Sequence, residues 1–124
     1  MNRKRVLVVD DDKGMLKIIE ARLLHSGFEV ELAQSGGQAI EILKKRLPGV
    51  ILLDIVMPEM DGFETLSKMK ADRKIRSVPV IMLTSKSESE DVQRAMSMGA
   101  KDYIVKPFNP AILMDKIRKT TGVK

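Results

Sequence analysis

The sequence predicts an α/β domain built on a five-stranded parallel sheet with helices on both faces, and three observations predict it. The runs Val6-Leu7-Val8-Val9, Val50-Ile51-Leu52-Leu53 and Val80-Ile81-Met82-Leu83 are apolar without polar alternation, as in strands covered on both sides. Two more polar strand-like runs accompany them, and every strand is followed by a segment whose apolar residues recur at helical spacing. Strands alternating with helices in this way give a parallel sheet. The 124 residues suffice for one core and one domain, 1–124, with 1–4 and 121–124 expected as frayed ends.

The first strand, Val6 to Val9, ends in Asp10-Asp11-Asp12. From Lys13 to about Ser26, Leu16, Ile19 and Leu23 share a helical stripe, and Gly27 stops it. Phe28 to Leu32 alternates with period two, the pattern of a strand at a sheet edge. Ser35 caps a second helix with Ala39, Ile40, Leu43 and Leu47 inward, ended by Pro48-Gly49. The third strand starts at Val50 and stops at Asp54, and Pro58 to Gly62 form a loop. Asp61 caps a third helix carrying Phe63, Leu66 and Met69.

Pro79 to Leu83 is the fourth strand and ends in Thr84-Ser85. Ser87 or Ser89 caps a fourth helix with Val92, Ala95 and Met96 inward, and Gly99 marks its end. The fifth strand, Lys101 to Val105, is more polar and runs into Lys106-Pro107. A last helix from about Asn109 to Thr120 turns Leu113, Met114 and Ile117 inward. The all-apolar strands belong at the centre and the mixed ones at the edges. With right-handed crossovers this gives the flavodoxin-like order 2-1-3-4-5, whose switch point lies between strands one and three.

Composition narrows the function classes. With 44% hydrophobic and 31% charged residues the chain is that of a globular protein rather than a disordered one. No apolar run approaches the roughly 20 residues of a membrane span, and the basic N-terminus leads into a strand rather than a signal peptide. The absence of cysteine removes disulfides and thiolate metal sites and fits a cytoplasmic location. The net charge of +5 invites a nucleic-acid reading. Basic residues spread along the chain, 3% aromatics and the lack of a DNA-reading motif oppose it, so no direct nucleic-acid contact is expected.

Ligands of open α/β sheets bind outside the carboxyl ends of the strands, and there four of the five strands hand over to a polar group. These are Asp10-Asp11, Asp54, Thr84 and Lys106. Clustered carboxylates repel one another unless a cation neutralises them, and oxygen-only ligands point to a hard ion such as Mg2+, with Mn2+ an alternative. Lys106 and Thr84 suit the oxygens of a phosphoryl group, and a carboxylate beside them can form an acyl phosphate. Asp54 is the expected reactive group.

The chain resembles response regulator receiver domains over essentially its whole length. The signatures are Val8-Val9-Asp10-Asp11, Leu53-Asp54-Ile55-Val56-Met57-Pro58-Glu59-Met60-Asp61-Gly62, Leu83-Thr84-Ser85, and Gly99-Ala100-Lys101-Asp102-Tyr103-Ile104-Val105-Lys106-Pro107-Phe108. The resemblance implies a non-enzymatic switch that accepts a phosphoryl group on Asp54 from the phosphohistidine of a sensor kinase or phosphotransfer protein. It implies magnesium held by Asp11, Asp54 and the backbone carbonyl of Val56, with Asp10 supporting it through water. Lys106 and Ser85 would contact the phosphoryl oxygens, and Thr84 would move toward them. Tyr103 would be an aromatic switch that alters the surface of helix four, strand five and helix five. It further implies a cis Lys106-Pro107 bond and a monomer or phosphorylation-dependent dimer, without naming the effector.

Several residues keep a plainer reading beside the functional one. Thr84 can start a turn, Tyr103 can be edge-strand packing, and Lys106 can be a solvated strand-end lysine. Asp12 either caps the first helix or supports the metal. His25 reads as a partner of a helix C-terminus rather than a ligand. Met96 and Met98 are core filler or adaptable contacts at the output face. Val56 cannot hydrogen-bond an attacking water and Lys86 can crowd its approach or hold the phosphate, so slow loss of phosphate is expected. The rival reading is a haloacid-dehalogenase-like phosphatase with Asp10 as nucleophile, but that family needs an acidic pair after the lysine and only Asp115 follows.

Overall fold

The computed structural model describes residues 2–57, 60–85 and 90–124. Met1, Pro58, Glu59, Lys86 and the candidate caps Ser87 and Ser89 lie outside the described residues. The chain runs β1 (Asn2–Val9), α1 (Lys13–His25), β2 (Glu29–Ala33), α2 (Gly36–Lys45), β3 (Pro48–Asp54), α3 (Gly62–Ala71), β4 (Val80–Thr84), α4 (Glu90–Ser97), β5 (Asp102–Val105) and α5 (Pro110–Thr121). All pairings are parallel, in the order β2-β1-β3-β4-β5.

Alternation along each central strand divides the core. Leu7, Val9, Ile51, Leu53, Val80 and Met82 pack on one face with Ala39 and Leu43 of α2, Phe63, Leu66 and Met69 of α3, and Ala95 of α4. Val6, Val8, Val50, Leu52, Ile81 and Leu83 pack on the other with Leu16, Ile19 and Leu23 of α1 and Leu113, Met114 and Ile117 of α5. Each fully buried aliphatic contributes roughly 1.5–3 kcal/mol, and polar residues of the central strands are confined to their ends. β2 closes one edge, where Arg5 faces Glu29 and Glu31, and Arg46 reaches Glu31 at 2.6 Å.

The helix starts are set by side-chain caps. Asp12 accepts from the backbone N–H groups of Gly14 and Met15, Ser35 from Gln38, Asp61 from Glu64 and Asn109 from Ala111. His25 closes the last turn of α1. Gly27 and Gly99 follow α1 and α4 with φ of 89° and 104°.

Four expectations need correction. Pro48-Gly49 do not terminate α2; the helix ends at Lys45, and both residues open β3 against Asn2, with Leu47 outside the helix. Met96 is 42% exposed while Met98, just past the end of α4, packs against the core that holds Ala95. Residues 2–4 are strand, held where the Asn2 N–H donates to the Leu47 carbonyl. At the other end Thr121 is buried within α5, its hydroxyl donating to the Ile117 carbonyl, and Val123 packs on the α1–α5 side of the core.

Gly49 shows why β3 starts so early. A Cβ there would stand 2.5 Å from the Arg3 carbonyl oxygen and 2.6 Å from its Cα, so only glycine lets the two strand ends approach. Replacing it with alanine forces the β1–β3 register shift near Asn2 open. Gly49→Ala is expected to destabilise the fold by about 1–3 kcal/mol in denaturant unfolding.

Candidate functional site

The register of the parallel sheet builds the site. Val9 is level with Leu53, so Asp10 and Asp54, each one residue further, leave adjacent strands side by side. Strand alternation puts both on the side of the sheet that faces α1 and α5. They are 1% and 5% exposed, whereas Asp11 is exposed. Carboxylate oxygens of Asp10, Asp11 and Asp54 all come within 4.8 Å of one another.

Lys106 arrives from the other side. β5 ends level with Thr84, and the Lys106 N–H donates to the Thr84 carbonyl at 2.6 Å. From there the side chain crosses β4, placing Nζ 3.3 Å from Asp10 Oδ2 and 3.3 Å from Asp54 Oδ1. The Lys106–Pro107 bond is cis, as expected. Thr84 is buried at the end of β4, and Ser85 beside it is exposed.

The segment after Asp54 is fixed by its own backbone. Asp54 Oδ1 accepts from the Val56 N–H at 3.4 Å, and the Gly62 N–H donates to the Ile55 carbonyl at 2.8 Å. A Cβ at Gly62 would collide with the Asp54 carbonyl oxygen and stand 2.7 Å from Ile55 Cα, so the start of α3 lies directly against the acid's backbone. Val56 projects outward, 72% exposed, at the rim.

Electrostatics matches this geometry. Burial and the neighbouring Asp10 raise Asp54 from its ordinary 3.8 to about 6, against the opposing pull of Lys106. Burial lowers the Lys106 ammonium, but Asp54 and Asp10 outweigh it and leave its pKa raised. Lys106 is therefore a fixed positive charge that only partly offsets two buried carboxylates. The donor set, three carboxylates and nothing softer, fits a hard divalent cation.

Asp10, Asp11, Asp54 and Lys106 thus come together, with Thr84 at the adjoining strand end. Asp12 stands apart, its Oδ1 taken by the Gly14 and Met15 N–H groups at 2.9 and 3.2 Å. Asp10 accepts the Asp12 N–H on Oδ1 and Lys106 on Oδ2, so both oxygens are engaged; this disfavours the rival reading in which it is the nucleophile. Tyr103 lies away from the acids, half-buried on β5. Its surroundings include Lys116, which sequence reading missed. Lys116 Nζ donates to Asp102 Oδ1 and to the Tyr103 carbonyl, both at 2.9 Å, and stands 5.1 Å from the Tyr103 ring centre. Nothing in the spacing of α5 marks it, because that contact exists only once α5 lies on β5. The stack of Arg94 over Phe63, at 4.1 Å, was missed for the same reason.

Comparison with known proteins agrees with this arrangement. Residues 6–118 match the family described as response regulator receiver domain. The probable transcriptional regulator ycf27 of Porphyra purpurea is 40% identical over 116 residues, covering 94% of this chain and 46% of that protein. The chain therefore spans less than half the length of that curated relative. Among solved structures, the chemotaxis protein CheY4 of Vibrio cholerae matches with a TM-score of 0.89 and 33% identity, covering 94% of this chain and 97% of that one. The receiver domain of the sensor histidine kinase PA1611 of Pseudomonas aeruginosa, which holds a magnesium ion in its active-site cleft, matches with a TM-score of 0.88 and 30% identity over 95% and 97%. With its fold, its acid–lysine cluster and nearly its full length in agreement, this chain belongs to the response regulator receiver domain family of two-component systems.

Proposed function

We propose that the protein is a phosphorylation switch that accepts a phosphoryl group on Asp54 from a phosphohistidine of a sensor histidine kinase or phosphotransfer protein. The observation that carries the reading is one contact set: Asp54 is buried, paired with Lys106 at 3.3 Å, and clustered with Asp10 and Asp11. In the transfer an Asp54 carboxylate oxygen attacks phosphorus, the phosphorus–nitrogen bond breaks, and the imidazole leaves. Lys106 would compensate charge gathering on the equatorial oxygens, and Ser85 and the Thr84 hydroxyl would contact them. Asp11, Asp54 and the Val56 carbonyl would hold Mg2+, or Mn2+, with Asp10 supporting it through water. The ion would neutralise charge on the acids and the phosphoryl oxygens. The chain would promote its own phosphorylation and dephosphorylation rather than turn over a separate substrate, which makes it a switch rather than an enzyme.

The output reading places Tyr103 at the centre. Tyr103 packs against the core beside α4, and Lys116 ties its carbonyl to α5. Drawing Thr84 toward a phosphorylated Asp54 would open space for the ring on the neighbouring strand, changing the surface of α4, β5 and α5. A protein partner on that surface, a monomer or phosphorylation-dependent dimer, no direct contact with nucleic acid and a cytoplasmic location belong to the same proposal. No helix among the described residues is long and apolar enough to cross a membrane.

A small phosphodonor such as acetyl phosphate, added with magnesium, is expected to increase the mass of the protein by one phosphoryl group. Asp54→Asn, and omission of the metal, are expected to abolish the gain; labelling elsewhere in the variant would refute Asp54 as acceptor. Val56→Asn tests the lifetime. Its side chain sits at the exposed rim, so the fold should be untouched, and phospho-Asp54 should decay several-fold faster if the valine's inability to orient water slows hydrolysis.

The raised Asp54 gives a pH prediction without metal. The folded state holds the Asp54 proton up to about pH 6 while the unfolded chain releases it near 3.8, so stability falls as pH rises through that window. Asp54→Asn removes a cost present above it and should raise stability at pH 7 by about 1–3 kcal/mol in urea unfolding. Magnesium should shrink the difference, because it favours the ionised carboxylate.

A further inference from the structure

The end of the sheet opposite Asp54 carries a second feature that phosphoryl chemistry does not use. Between the C-terminal end of α2 and the turn after α3 lies an open cavity of about 760 Å³ lined by Leu43, Lys44, Lys45, Arg46, Leu47 and residues 72–75. Both lining segments lead into the amino ends of β3 and β4, so the length of β3, roughly 20 Å, separates the cavity from Asp54.

Its composition is one-sided. Leu43 and Ile75 are buried and Leu47 half-buried, which gives an apolar floor. Around it stand Lys44, Lys45, Arg46, Arg73 and Lys74, all exposed, with Asp72 the sole acid in the lining. Asp72 is spent locally: its Oδ1 accepts from the N–H groups of Lys74 and Ile75 at 2.8 and 3.3 Å. Lys44 reaches Glu41 at 3.7 Å and Arg46 reaches Glu31, whereas Lys45, Arg73 and Lys74 have no acidic partner among the described residues. Five cations and one acid therefore ring a single apolar-floored hollow.

We propose that this hollow is a docking site for an acidic protein segment that inserts an apolar side chain against Leu47, over the buried Leu43 and Ile75, while its carboxylates meet Lys45, Arg73 and Lys74. Charge complementarity selects an anionic partner. The floor selects one with apolar side chains, since a bare phosphate chain leaves it unused. A nucleic acid would want aromatic platforms for its bases, and the lining has none. A membrane surface is flat and meets protrusions, whereas these cations ring a recess.

The probe is a fluorescent peptide of about twelve residues made of glutamate and leucine, read by anisotropy against the full chain at low salt. It is expected to bind, and an all-glutamate peptide of the same length to bind about tenfold more weakly. Lys45→Glu/Arg73→Glu/Lys74→Glu should weaken binding by about tenfold or more, with the same thermal midpoint. The charge-matched control Lys13→Glu/Lys17→Glu/Lys124→Glu, at exposed positions elsewhere, should bind as the parent does. Absence of peptide binding would overturn the proposal, as would equal binding by both peptides or equal loss in both variants. Tighter binding of a single-stranded oligonucleotide or of phosphatidylglycerol vesicles that is lost in the same triple variant would assign the hollow to those partners instead.

Discussion

The ammonium of Lys106, wedged between the carboxylates of Asp10 and Asp54, is the contact on which the working end of this molecule depends. Two acids on neighbouring strands, both almost out of water, repel each other and lose hydration, and either effect alone would favour protonation. One lysine does not cancel both, and Asp54 remains raised to about 6. The site is thus built short of positive charge. That deficit suits it to a divalent cation.

Holding Lys106 there requires the whole sheet. The lysine starts beyond β5 and its partners lie beyond β1 and β3, so β4 must stand between them at the right height; the Lys106 N–H to Thr84 carbonyl bond fixes that height. Asp10 and Asp54 are neighbours only because β1 and β3 pair directly, which their sequence order does not require. The connection from β2 to β3, which passes β1 at the switch point, produces that adjacency. The apolar faces on either side then make the arrangement stiff: α1 and α5 cover one, α2, α3 and α4 the other.

The chain is also polar from end to end. Acids gather outside the carboxyl ends of the strands, while cations gather around the amino ends of β3 and β4. The Arg46–Glu31 and Arg5–Glu29 pairs along β2 neutralise part of the basic side but stop short of Lys45, Arg73 and Lys74.

The strands, the capping residues and the candidate acids were legible in the sequence because each is a local consequence of residue type. A four-residue apolar run is most stable in a two-sided core, and Ser35 and Asp61 satisfy amides within their own first turn. The β3 start, the facing of Met96 and Met98, and the Lys116 clamp on Tyr103 were decided elsewhere. Gly49 reads as a helix stop until the Arg3 backbone comes up against it, and Lys116 is an unremarkable helix cation until β5 lies beneath it. The sequence by itself determined the strand order, the identity of the clustered groups and the one residue expected to react. The tertiary structure alone decided how far Asp54 is raised, which acid leaves the cluster to cap α1, and that Lys45, Arg73 and Lys74 come together around one hollow. Those outcomes follow from burial and from charges brought together across strands, and neither exists in a chain read one residue at a time.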